Sequence, residues 1–232
     1  MLEKLDGIDW KSLSHACGDA SDIPDLIRAL ISQDKTVRDD AYDCLYTTLF
    51  HQGARWAASS YAIPFLYEIL ADKAAQDKAG LIEYILHLAV GYPDEYMPLG
   101  YDKAGNNTED GRLCYLKAAE GVPLLYQQSF SEDEKVRSMA VYALSYFTPY
   151  LTEEILRRIE ELVWQGGSDV EKAGAVMALG IVSRDSNKSV SLFKDLFSSA
   201  HSQEILKTAA AISSIIVSGP LSNKEEILYL AT

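Results

Sequence analysis

One string of residues occurs twice in this chain, and it limits the fold more than the composition does. Val122-Pro123-Leu124-Leu125 leads into Asp133-Glu134-Lys135-Val136-Arg137, then Ala140 and Leu144. Earlier, Ile23-Pro24-Asp25-Leu26 leads into Asp34-Lys35-Thr36-Val37-Arg38, then Ala41 and Leu45. In both copies the acid stands ten positions after the proline and opens the pattern D-x-x-V-R-x-x-A-x-x-x-L. Ile63-Pro64-Phe65-Leu66 opens a third copy that is looser in its second half. A proline suits the first turn of a helix, where its missing N–H costs nothing. Apolar residues spaced by three and four then mark an amphipathic helix. The string therefore predicts a repeated helix pair, and repeated pairs stack into an all-α solenoid, an α-α superhelix.

Residues 1–21 read as a polar lead-in with a little hydrophobic content, such as Ile8, Trp10 and Leu13. The repeat domain is expected over 22–220, followed by a C-terminal cap over 221–232. In the first unit Val37, Ala41, Cys44, Leu45 and Thr48 form the stripe of the second helix, and Gly53 supplies a left-handed stop. In the second unit Trp56, Ser60, Ile63, Leu66, Tyr67 and Leu70 line one helix. Leu81, Ile82, Ile85, Leu86 and Ala89 line its partner. The pattern then stops over 92–110, a loop long enough to suggest a function of its own. A third unit follows over roughly 109–148, with Pro123 in its first helix. Beyond it Arg137, Lys172 and Lys207 recur at steps of 35 residues, which brings the total to five units.

Charge narrows the choice of partner. The 34 acidic residues outnumber the 21 basic ones, for a net charge of -13, and ten acids against five bases fall in the first fifty residues. Such a chain repels phosphate backbones and anionic membranes, so neither nucleic acid nor membrane is an expected partner, whereas a basic protein is. The plain alternative is that the charge serves solubility. Cys17, Cys44 and Cys114 are odd in number and widely spaced, which argues for a reducing compartment and against a disulfide framework. The start of the chain lacks the basic and apolar run of a signal peptide, and a cytoplasmic location is expected.

With its P-x-L opening, turn acid and V-R-x-x-A-x-x-x-L continuation, the repeated string resembles the HEAT repeat and its shorter bacterial relatives over roughly 22–218. The resemblance implies that Asp34, Arg38, Asp133 and Arg137 belong to a ladder tying neighbouring units together. The stretch from His51-Gln52-Gly53-Ala54-Arg55-Trp56 into Ala62-Ile63-Pro64-Phe65-Leu66 is also similar to one found in bacterial HEAT-repeat proteins. Some of those are thought to neutralise toxins. What this implies is a non-enzymatic scaffold acting as an immunity-type or inhibitory partner of a basic protein. The alternative is an accessory lyase of the HEAT-like kind that attaches bilin pigments.

Local motifs give catalysis little support. The histidines at 15, 51, 87 and 201 form no H-x-x-x-H pair, and none precedes a glutamate as in the HEAT-built di-iron hydroxylase. No G-x-G-x-x-G, phosphate loop or G-x-S-x-G is present. HEAT-like DNA glycosylases need a basic groove, the opposite of this charge. No cofactor, metal or catalytic residue is therefore assigned. The candidates for protein binding are Asp39, Tyr42, Asp43 and Tyr46 on the second helix, where the tyrosines flank the apolar stripe. His51, Gln52, Arg55 and Trp56 follow it, and Tyr92, Asp94, Glu95 and Tyr96 open the long loop. Each has a plain structural reading too: aromatics at helical spacing are core, His51 interacts with a helix end, and the loop is a packed flap.

Overall fold

A computed structural model of the chain describes residues 2–92, 108–183, 189–199, 203–219 and 222–230. Among them are twelve α-helices. Extended pairing is limited to an antiparallel hairpin of Ser14–His15 (β1) with Gly18–Asp19 (β2) and a single bridge between His51 and Ala54. The described chain is all-α, as the spacing predicts. It divides into two compact units, Met1–Leu124 and Leu125–Thr232, and the boundary falls inside the helix Val122–Gln128 (α6).

In the first unit Ile23–Ala29 (α1) packs on Lys35–Thr48 (α2), the pair that the repeated string predicts. Pro24 sits in the first turn of α1, and the Asp34 carboxylate caps α2 by accepting the Thr36 N–H at 2.9 Å. Ala57–Ala71 (α3) continues on both sides of Pro64. Lys78–Val90 (α4) is capped by Asp77 and ends at Gly91, whose φ of 86° is one that glycine adopts without strain. Leu81, Ile82, Tyr84, Ile85, Leu86, Leu88, Ala89 and Val90 are all buried, so α4 is interior on most of its circumference.

Three sequence expectations change here. Residues 1–21 are not a polar lead-in, because Leu2, Leu5, Trp10 and Ala20 are buried. The Trp10 indole donates to the Leu5 carbonyl at 2.8 Å and lies 6.3 Å from the Phe65 ring of α3. On α2, Ala41, Leu45 and Thr48 are buried as expected, but Cys44 is exposed and Val37 is 41% exposed. Glu109–Ala119 (α5), with Thr108 as its cap, begins where the third unit is expected, and residues 93–107 of the expected loop lie outside the described residues. The single helix expected around Pro123 is two, α5 and α6, broken at Glu120 and Gly121. A Cβ at Gly121 would stand 2.0 Å from the Tyr67 ring, whose hydroxyl donates to the Ala118 carbonyl at 2.7 Å. The helix breaks where the chain must make room for that tyrosine.

The second unit contains Glu134–Ser145 (α7), Glu153–Gln165 (α8), Asp169–Val182 (α9), Val190–Ser198 (α10), Glu204–Ser218 (α11) and Lys224–Leu230 (α12). Asp133, Thr152 and Ser168 cap α7, α8 and α9 with their side-chain oxygens. Helix α8 packs on α9 and α10 on α11, while α9 lies between α7 and α11. The α9–α11 approach is close: a Cβ at Gly180 would meet the Ser213 hydroxyl oxygen at 2.6 Å. Asn223 joins the last turn to α11 by donating to the carbonyls of Ser214 and Gly219 at 3.1 and 2.6 Å.

The arginines of the repeated string do hold elements together, though not through the turn acids. Asp34 and Asp133 are occupied as helix caps. Arg38 donates to the Ser32 carbonyl at 2.7 Å. Arg137 donates to the carbonyls of Ser131 and Glu132, and forks onto both oxygens of Glu171 in α9 at 2.6 and 3.0 Å.

Candidate functional site

Helix α2 carries its acids on the side away from its buried Ala41 and Leu45. Asp39, Asp40 and Asp43 are all exposed. They share a face because residues three and four apart in a helix are neighbours. Lys35 pairs with Asp39, whereas Asp40 and Asp43 form no ion pair among the described residues. The uncompensated charge of the face therefore comes from Asp40 and Asp43.

Tyr42 and Tyr46, one turn apart, lean towards α4 and are half-buried. The Tyr46 ring lies 4.6 Å from Tyr84, and Tyr42 meets Tyr84 edge-on at 6.2 Å. The Tyr46 hydroxyl is 2.9 Å from His87 Nδ1, and His87 stacks on Phe50 with centroids 5.3 Å apart and planes at 14°. Tyr92 closes this cluster, edge-on to Phe50 at 5.0 Å. Tyr84, fully buried, donates its hydroxyl to the Leu45 carbonyl at 2.9 Å. Offset and edge-to-face rings attract through their quadrupoles in addition to burying area. The tyrosines are therefore anchored against the core by their ring contacts and remain part-exposed.

Electrostatics around them is acidic. Burial pushes both phenols well above the ordinary tyrosine value. Nearby carboxylates add to the shift, Asp77 first for Tyr42 and Glu83 first for Tyr46. Both phenols therefore stay protonated and keep a hydroxyl that can donate. Burial also pushes the Cys114 thiol up to about 12, so it stays a thiol and a poor nucleophile. None of these shifts brings a group towards neutral pH, where general acid–base work needs it. Among the described residues no three His, Cys, Asp or Glu side chains gather to hold a metal ion. No described helix is long and apolar enough to cross a membrane.

The segment after α2 is built differently from its expectation. His51 lies beyond the helix, which ends at Thr48, and is exposed with Gln52 in a turn closed by the His51–Ala54 bridge. Gln52 and Gly53 both take positive φ, 53° and 80°. Arg55, expected on a contact surface, is buried and donates to the Gly53 carbonyl at 2.6 Å. Trp56 is half-buried at the start of α3, with its rings 6.5 Å from His51. Here the turn geometry outweighs the local polarity. Asp94, Glu95 and Tyr96 lie outside the described residues.

Sequence reasoning missed the other half of the face, namely Tyr84, Phe50, Asp77 and Glu83. A signal existed in Tyr84 and His87, three residues apart and therefore on one side of α4. Which side of α2 they would meet is a tertiary matter. Compared with models of protein families, with curated proteins and with solved structures, the chain matches none.

Proposed function

We propose that the chain is a HEAT-like α-solenoid that acts by binding another protein, and that the acidic, tyrosine-edged face of α2 and α4 receives a basic partner. The fold reading is supported by the 35-residue steps from Arg137 to Lys172 to Lys207, which fall in α7, α9 and α11, three helices that lie side by side. The binding reading rests on one observation. Tyr42 and Tyr46 sit half-exposed in the field of Asp77 and Glu83, next to the acids projecting from α2.

Such a face has two parts. Its charge steers an oppositely charged protein and speeds encounter, more at low salt than at high. Its tyrosines supply broad, stiff contact area with a hydroxyl at the tip, a residue type enriched at interfaces. An immunity-type or inhibitory protein that must capture a basic partner quickly would use both. Because Asp39 is already balanced by Lys35, the informative reversal is Asp40→Lys with Asp43→Lys.

Both side chains are exposed, so the doubly substituted chain is expected to keep its helical spectrum and melting temperature. It should associate with the partner at least tenfold more slowly at low salt, with the gap closing as salt is added. The experiment compares proteins retained by the unmodified and the reversed chain from source-cell extract, then measures association rates of the retained protein across a salt series. A retained protein that is acidic, or a rate that ignores both salt and the reversal, overturns the reading.

A further inference from the structure

An open groove of about 580 Å³ lies in the first unit, between the N-terminal turns, α3 and α5. This is within the usual size range of small-molecule sites, and such sites are mostly apolar with a few placed polar groups. Its apolar lining is Ile8, Tyr61, Pro64 and Phe65. Phe65 is 4% exposed and forms the floor, backed by Trp10, while Tyr61 is 47% exposed and forms a wall open to solvent. Among the described residues no carboxylate lines the groove, although acids outnumber bases 34 to 21 in the chain. The charged side chains that do line it are Lys4 and Lys117. Lys4 makes no ion pair among the described residues, and Lys117 has an exposed partner in Glu120 at 2.8 Å. An exposed pair of that kind is weak and readily exchanged.

We propose that this groove binds a small apolar carboxylate, an aryl or short acyl acid, with its body on Phe65 and Tyr61 and its carboxylate between Lys4 and Lys117. An anion is favoured because both charged groups of the described lining are cations. An apolar body is favoured because it removes from water the exposed apolar surface of Tyr61, Pro64 and Ile8. The proposal does not depend on the acidic face of α2 and α4.

The full chain is titrated with anilinonaphthalene sulfonate, an apolar anion that fluoresces when its surroundings are apolar, and the bound probe is then displaced by octanoate or by octylammonium. One saturable site is expected, displaced by octanoate and not by octylammonium at equal concentration. Replacing Lys4→Gln and Lys117→Gln together should weaken octanoate about tenfold, the size expected of two partly exposed ion pairs. Tyr61→Glu, which puts a negative charge on an exposed wall, should abolish binding of both anions while circular dichroism shows the helices intact. The proposal is overturned by probe binding without saturation, by octylammonium competing as well as octanoate, or by unaltered octanoate affinity in the double lysine variant.

Discussion

Arg137→Ala is expected to lower the stability of the chain by about 1.5–3 kcal/mol, the range for hydrogen bonds to a charged group, because the pair is partly buried. The Glu171 side chain is only 1% exposed and Arg137 19%. Without the guanidinium, Glu171 keeps the Gly167 N–H at 2.6 Å and loses both forked bonds. Arg38→Ala, at the equivalent place in the first unit, removes a bond to the Ser32 carbonyl and no carboxylate partner. It should cost about 0.5–1.5 kcal/mol, the net worth of an ordinary hydrogen bond. Urea unfolding followed by circular dichroism separates these outcomes. Equal losses for the two variants would mean that Glu171 is not the partner that matters.

The pair also sets a pH dependence. The hydrogen bond from Arg137 holds the Glu171 carboxyl below the ordinary glutamate value of 4.5. A depressed folded value means that the unfolded chain takes up the proton first as pH falls. The stabilisation is therefore complete above pH 4.5 and disappears as pH drops through the folded value. The stability gap between the unmodified chain and Glu171→Gln should accordingly be widest near neutrality and shrink in acid.

Glu171 also shows where a repeat can be read and where it cannot. The string itself marks Asp34 and Asp133 as turn acids, and both cap helices. The family resemblance, and not the string itself, implies that Arg137 is a tie, and the carboxylate that answers it lies 34 residues on, at a position the string does not repeat. Periodicity identifies which elements form, because it follows from the pitch of a helix. It does not identify the second partner of a polar contact, which depends on how two helices are set against each other. The N-terminal stretch fails for a different reason. Leu5 and Trp10 sit in 3-10 turns of three residues each, too short to carry a period, so burial there leaves no pattern to read. Arg55 fails for a third reason, since the positive φ of Gln52 and Gly53 turns the chain back and carries a charged side chain inward.

The same distinction decides what the tyrosines of the candidate face do. Tyr84→Ala is expected to cost about 3–5 kcal/mol, as for other large aromatic truncations in a core, because the side chain is fully buried between α2 and α4. Tyr84→Phe should cost only about 0.5–1.5 kcal/mol, since the Leu45 carbonyl that loses its hydroxyl donor keeps its helical bond from the Leu49 N–H at 2.8 Å. Tyr46 and Tyr84, with rings 4.6 Å apart, should be coupled by about 0.5–1.5 kcal/mol in a double-mutant cycle. Tyr42→Phe is the complementary case, because it keeps the ring against Tyr84 and removes only the hydroxyl. If the face binds a basic protein, Tyr42→Phe should weaken the complex and leave the urea midpoint nearly unchanged. Tyr84→Phe should do the reverse. A Tyr84→Ala chain as stable as the unmodified one would mean that α2 and α4 are not joined through this cluster. The face built from their two acidic edges would then lose its foundation as well.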